Sequence, residues 1–387
     1  MTDLNNRVIL PGQTIGIIGG GQLGKMMVQS AQKMGYRVHV YDPSEAACAF
    51  NVAHQSMVGS FSDRDQLVRF AQSVDVLTYE FENVNSQLLQ ELDQQSYFPQ
   101  GSQFLSITQN RLKEKDWLND CQITTVGYRS VKSIADIEKA IDQLGYPLII
   151  KTNRFGYDGK GQIVLKDASS LRDNQADLQS LLEDQTCIAE AYCDFDYEAS
   201  IMISRNPKGQ IEAFPVSINQ HRHGILYASL VTNQVPASVE DKIKEFARRI
   251  AEQAQLVGVL GIEFFVTKDQ EVLVNELAPR PHNSGHYSIE ACNVSQYDQH
   301  ILAITGRDLI PVRLLQPSLM INILGQHMED LSKAMAAFPQ AIFHLYGKSP
   351  AKVQRKMGHF TLGAKSSQEL LQLIQTSHFL ADWKEKI

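Results

Sequence analysis

Glu263 and Glu276 lie in two apolar runs, GIEFFVT and EVLVNEL, that read as the arms of a β-hairpin closed by residues 268–271. In that register the two carboxylates share one face about 5 Å apart, where like charges destabilise the sheet. At an effective dielectric near 20 the repulsion is on the order of 3 kcal/mol. Protonation of one group or a divalent cation between them relieves it, and hard oxygen ligands suit magnesium. A solvated hairpin face is the plainer alternative. It sits badly with the next segment, LAPRPHNSGHYS, which crowds Arg280, His282, Asn283, Ser284 and His286 behind two prolines that fix the backbone. Such a loop beside paired acids reads as the wall of a reaction site.

Two glycine-rich loops add anion chemistry. FGYDGKGQ, residues 155–162, lies between two short strands, so its amides can fold over a polyphosphate with Lys160 adding charge. An ordinary hairpin with a surface lysine is the competing reading. Against it, Lys151 closes the apolar strand before the loop, a place that excludes an amine lacking an anionic partner. The other loop is GIIGGGQLGK. Gly19, Gly21 and Gly24 fit G-x-G-x-x-G between a strand at residues 14–18 and a helix that closes at Gly35. Free amides and the helix dipole favour an anion there. A second strand, RVHVYD, ends in Asp42, about where a dinucleotide-binding protein keeps its ribose acid. A dinucleotide, a single phosphate, or no ligand are all compatible with this loop alone.

The elements that must carry these groups change along the chain. Residues 14 to about 110 alternate strands with helical stretches, the pattern of a parallel sheet with crossover helices. From about 120 a run of strands reads as antiparallel, followed by a helix opened by Ser238 and ended by Gly258. A last stretch from about 313 has strands of its own, giving three units, as 387 residues suggest. Hydrophobic content of 43% with 20% charged residues is that of a globular protein. The net charge of −7 argues against nucleic-acid binding. Five cysteines without C-x-x-C spacing indicate neither a disulfide framework nor a zinc ribbon. The N-terminal residues have no apolar signal-like run and no stretch is long enough to span a membrane, so a cytoplasmic protein without membrane partners is expected.

Five strings, GGGQLGKM, TYEFENV, GYDGKGQ, NELAPRPHNSGHYSIEA and HLYGK…RKMGH, occur in this order from about Gly16 to His359. Together they make the chain resemble the 5-(carboxyamino)imidazole ribonucleotide synthetase family of the ATP-grasp superfamily. The resemblance implies an α/β (α+β multi-domain) protein: an ATP-grasp fold with an N-terminal parallel-sheet, Rossmann-like domain and a small C-terminal β-rich domain. The units would be 1–110 for the substrate phosphate, 111–312 for ATP with a lid at about 121–190, and 313–387. The implied reaction is ATP-dependent carboxylation of 5-aminoimidazole ribonucleotide by bicarbonate through carboxyphosphate, in a cytoplasmic homodimer. The first glycine loop then takes a single phosphate, with Gly21, Gln22, Leu23, Glu80, Lys348 and Arg355 as substrate-binding residues. ATP would be held by Arg111, Lys151 and the loop Gly156, Tyr157, Asp158, Gly159, Lys160, Gly161 and Gln162. Glu190, Ala191, Tyr192 and Cys193 would line the adenine as a hinge, Glu198 would take the ribose, and His221, Asn275 and Glu276 would complete the pocket. Glu263 and Glu276 would carry magnesium, or manganese in its place; Ala278 stands where many ATP-grasp enzymes have an asparagine. Tyr157, Asp158, Arg280, His282 and Asn283 would contact the reacting groups. Competing readings are another ATP-grasp carboxylase or formate-dependent ligase, a non-catalytic ATP-binding regulator, and an NAD-dependent oxidoreductase. The last leaves the second loop, the paired glutamates and the His/Arg loop without a role.

Overall fold

The computed structural model describes residues 7–154, 161–183 and 186–385. Near the N-terminus, β1 (Thr14–Ile18), β2 (Arg37–Asp42), β3 (Gln55–Val58) and β4 (Val76–Tyr79) form a parallel sheet in the order β3-β2-β1-β4. Ile15, Ile17 and Ile18 are fully buried, as a strand covered on both faces requires. The crossover helix Gln22–Lys33 buries Leu23, Met26, Met27 and Ala31, and Gly35 takes the left-handed φ of +86° just past its end.

A second, antiparallel sheet joins β5 (Tyr128–Val131), β6 (Leu148–Thr152), β7 (Gln162–Leu165) and β8 (Cys187–Ala191) in the order β5-β8-β6-β7. Lys151 pairs with Gln162 at the end of the β6–β7 ladder.

The third sheet is the largest. It comprises β9 (Phe195–Arg205), β10 (Ile211–Ala213), β11 (Ser217–Arg222), β12 (Ile225–Val231), β13 (Gly258–Thr267), β14 (Val272–Ala278), β15 (Ser318–Leu324), β16 (Ile342–Leu345) and β17 (Lys356–Gly363). The order is β14-β13-β9-β11-β12-β15-β17-β16, with β10 on β9. The C-terminal strands therefore continue the central sheet, through antiparallel pairing of β12 with β15. Alternation divides its faces. Ala199, Ile201, Ile203, Ile262, Phe264 and Val274 pack against Ile243, Phe246 and Ile250 of the helix Ala237–Gln253. The alternate residues, among them Glu198, Ser200 and Glu263, belong to the other face.

Three local features differ from the sequence reading. The long helix begins at Ala237 behind Pro236, and Ser238 Oγ donates to Gln270 Oε1 (3.1 Å) instead of capping. Its end comes before Gly258: Gln255 supplies the left-handed turn (φ +48°), and Gly258 opens β13. In the β13–β14 hairpin, Thr267 N–H donates to Glu271 O (3.0 Å) and Gln270 is left-handed, so the loop is one residue shorter than expected. That turn alone would set Glu263 opposite Asn275. A bulge between Glu263 and Phe264 shifts the register, and Glu263 faces Glu276 after all.

Candidate functional site

At the first glycine loop, Gly24 must be glycine because a Cβ there would lie 2.7 Å from Gly19 O. Two of the loop amides already have partners. Gly20 N–H donates to Asp42 Oδ2 (2.7 Å) and Gly21 N–H to Glu80 Oε1 (2.7 Å). Asp42 also accepts Ser44 N–H (2.8 Å), so it braces its own loop and is not turned toward a ribose. This removes the main support for a dinucleotide. It also puts the Gly21 amide on Glu80 rather than toward a ligand, leaving the first-turn amides of Gln22 and Leu23, which no N-cap side chain covers. Burial pushes the Glu80 carboxyl up, with the Gly21 amide and Arg280 opposing.

Across this helix end stands the C-terminal loop. Lys348 Nζ donates to Gln22 Oε1 (2.5 Å), and burial pushes its amine down. Arg355 Nη1 donates to the carbonyls of Ser349 (3.0 Å) and Pro350 (2.9 Å). Lys25 Nζ reaches the Leu345 and Tyr346 carbonyls and ties the two units together.

The other end of the cleft is built between the second and third sheets. Residues 190–193 run from the end of β8 into the link to β9, with Ala191 N–H on Gly127 O (2.8 Å) and Tyr192 N–H on Pro147 O (3.0 Å). Glu190 is buried between Lys151 Nζ (2.6 Å) and Lys115 Nζ (3.3 Å). Burial alone would raise its carboxyl, but Lys115, Lys151 and Arg111 outweigh that and hold it at about 2. Burial in turn pushes the Lys151 amine down against the pull of Glu190.

On the third sheet Glu198 accepts from His221 Nδ1 (2.7 Å), and His221 Nε2 lies 4.0 Å from Glu263 Oε1. Burial, then the charges of Glu276 and Glu198, push Glu263 up to about 7, with His221 opposing. Arg111 Nη1 is 3.6 Å from Glu276 Oε2, and Asn275 occupies the bulge beside it. Arg280 Nε is 2.9 Å from Glu82 Oε1, and His282 Nε2 is 3.8 Å from Glu263 Oε1. Burial and Arg280 keep the His282 imidazole well below its usual range, hence neutral. Both amide atoms of Asn283 are buried with no partner, so that side chain is presented without an internal role.

The residues expected from sequence thus form one continuous line from Gln22 and Lys348, through Glu80, Arg280 and His282, to Glu263, Glu276, Arg111, Lys151 and Glu190. Gly161 has φ +74° and Gln162 opens β7 at the edge of that line. Gly156, Tyr157, Asp158, Gly159 and Lys160 lie outside the described residues. Sequence reasoning missed Lys115 and Glu82. Lys115 sits four residues after Arg111 on the helix Arg111–Asp120, hence on the same face. Glu82 follows Glu80 by two residues in TYEFENV. Either spacing was signal enough.

Comparisons with known proteins agree along the whole length. A ribonucleotide synthetase preATP-grasp domain matches residues 12–109, an ATP-grasp domain matches 116–297, and a phosphoribosylaminoimidazole carboxylase C-terminal domain matches 318–373. The N5-carboxyaminoimidazole ribonucleotide synthase of Staphylococcus aureus (strain COL) is 45% identical over 355 residues, 91% of this chain and 92% of that one. The crystal structure of an N5-carboxyaminoimidazole ribonucleotide synthetase with ADP is similar at TM-score 0.93 and 40% identity, covering 98% of this chain and 99% of that one. The Aspergillus clavatus N5-carboxyaminoimidazole synthase, solved with ADP and 5-aminoimidazole ribonucleotide, gives TM-score 0.89 at 29% identity, covering 98% and 100%.

Proposed function

Because the chain belongs to the N5-carboxyaminoimidazole ribonucleotide synthase family, an ATP-grasp family, we propose that the line of residues just described binds ATP at one end and 5-aminoimidazole ribonucleotide at the other. The reaction is ATP-dependent carboxylation of the ribonucleotide. In our reading bicarbonate attacks the γ-phosphate, giving carboxyphosphate and ADP. Carboxyphosphate breaks down to CO₂ and phosphate, and the exocyclic amine captures the CO₂ and releases a proton. The single observation that carries this reading is that Arg280 and His282 stand between the two ends: Arg280 acts on Glu80 at the helix terminus that faces Lys348, and His282 Nε2 lies 3.8 Å from Glu263 Oε1 on the other wall.

Glu263 and Glu276 fit a divalent cation. They are opposed in register, and the Glu263 carboxyl is pushed up in part by the charge of Glu276. Two carboxylates are a small donor set. That suits magnesium, which keeps several waters and shares its coordination with nucleotide phosphates. When bound, the cation offsets charge on the transferring phosphoryl group. Lys151 and Arg111 add fixed positive charge nearby, so positioning and electrostatics supply most of the rate. Neutral His282, whose Nδ1 accepts from Ser284 N–H (3.4 Å), can donate a hydrogen bond from Nε2, while Arg280, oriented by Glu82, holds bicarbonate. Tyr157 and Asp158, with the rest of the second loop, would contact nucleotide and imidazole when the lid shields carboxyphosphate from water. Residues 1–110, 111–312 (lid at about 121–190) and 313–387 act as the three working units of a cytoplasmic homodimer. Among the described residues, no helix is long and apolar enough to cross a membrane.

ADP release measured with and without bicarbonate and the ribonucleotide tests the reading. Turnover should depend on bicarbonate and rise strongly with the ribonucleotide. Equal release with formate or glycine substituted would point to a sister enzyme.

A further inference from the structure

The C-terminal strands bring a column of rings against the catalytic loop, and the proposed chemistry makes no use of it. His344 and His359 are cross-strand partners on β16 and β17, with ring centroids 4.6 Å apart. His359 stacks in turn on His286 at 4.4 Å, and both of these are fully buried. Each inner ring is fixed in rotation by a tyrosine: Tyr346 OH bonds His359 Nδ1 (2.8 Å) and Tyr297 OH bonds His286 Nδ1 (2.9 Å).

The outer ring, His344, is held at Nε2 by Glu290 Oε1 (2.6 Å), and the two inner rings are tied through their tyrosines toward substrate-binding loops. Beside Tyr297, Gln296 accepts His282 N–H at Oε1 (2.8 Å) and donates Nε2 to His282 O (2.7 Å), which clamps the catalytic loop. Beside His359, Tyr346 stands two residues before Lys348, whose Nζ lies 5.5 Å from its ring centroid. Ordinary core packing does not explain this choice of residues. The Nε2 atoms of His286 and His359 are buried without partners, a cost that phenylalanine would avoid. What phenylalanine could not supply is the pair of Nδ1 bonds that orient the rings.

We propose that His359 and His286, locked by Tyr346 and Tyr297, form a spacer that sets the distance between the phosphate-holding loop of Lys348 and Arg355 and the catalytic loop of Arg280, His282 and Asn283. His359 and Tyr346 are then positioning residues for the ribonucleotide. A nucleoside monophosphate is short and stiff between its phosphate and its base, so a small change in that distance misplaces the reacting amine. The inference rests on the reading of Lys348 and Arg355 as phosphate ligands.

A double-mutant cycle tests it. His359→Phe, which keeps a stacked ring, and Tyr346→Phe, which removes one oxygen, should each raise KM for the ribonucleotide about fivefold, the weight of one hydrogen bond. KM for ATP should stay within about twofold, and in an Arg355→Ala background neither substitution should change the ribonucleotide KM by more than about twofold. Additive effects in the two backgrounds overturn the spacer. So does a parallel rise in both Michaelis constants with a fallen melting temperature, the mark of a general packing role. If His359→Phe does not fold, Tyr346→Phe carries the test. If Arg355→Ala alone leaves the ribonucleotide KM unchanged, the phosphate reading itself fails. If it raises KM and Tyr346→Phe does not, the spacer alone fails.

Discussion

Glu190 and Glu263 are buried carboxylates on the two sheets that wall one cleft, and their surroundings push them in opposite directions. Glu190 is enclosed by Lys115 and Lys151 and held at about 2. Glu263 has the imidazoles of His282 and His221 beside it at 3.8 and 4.0 Å, faces Glu276, and is pushed by burial and by that charge to about 7, with His221 and Lys356 opposing. A carboxylate satisfied by its own chain serves the fold. One left opposing another is in a state that a ligand cation would relieve. The contrast separates the wall that is finished from the wall that awaits its substrate complex.

The largest effect should come from the unfinished wall. Glu276→Gln should abolish turnover, while the melting temperature of the ligand-free protein changes little, because the relieved repulsion with Glu263 offsets the lost 3.6 Å contact with Arg111. A marked loss of apo stability would break the comparison, since the pair would then be structural. Full activity would remove the metal assignment.

The finished wall should answer in the reverse way. Lys115→Met strips Glu190 of one buried cation, and breaking such a pair costs about 3 kcal/mol, less whatever Lys151 retains. Chemical denaturation at neutral pH measures this directly. Glu190 is depressed in the folded state, so its contribution to stability is present above the ordinary carboxylate value, near 4.5, and is lost as pH falls toward 2. The acid limb of the stability profile between those values should therefore be shallower in Lys115→Met than in the parent. An unchanged limb would show that Lys151 alone holds Glu190 down.

Much of this was legible in the sequence because it is local. The parallel sheet, the glycine turn and the hairpin follow from periods of two and 3.6 and from turn residues, and the motif strings place most site residues on their elements. What escaped is tertiary. The Glu263–Glu276 pairing was reached with a loop one residue too long, an error cancelled by a bulge at Asn275 that no alternation pattern announces. The occupation of the Gly20 and Gly21 amides by Asp42 and Glu80 depends on three strand ends converging, so spacing alone left a dinucleotide open. Likewise the pairing of β12 with β15 joins segments far apart in the chain, and only that pairing brings the His359 column to the catalytic loop.

Arg355 lies between the two extremes of the comparison. Its guanidinium donates through Nη1 to two backbone carbonyls of its own loop. A solvated turn between β16 and β17 would account for a basic residue there. Yet Lys348 from the same loop already reaches the helix end at Gln22, and amides of one helix turn seldom neutralise a dianionic phosphate alone. Arginine offers a planar fork matched to phosphate oxygens, and a charge-assisted bond of that kind contributes about 1.5–3 kcal/mol. Arg355→Ala should therefore raise KM for the ribonucleotide about tenfold or more. KM for ATP should stay within about twofold, because the nucleotide wall is built by other elements. Steady-state kinetics with each substrate varied in turn decides it. If both constants rise together, or neither moves, the arginine belongs to the turn and the phosphate rests on Lys348 and the helix amides.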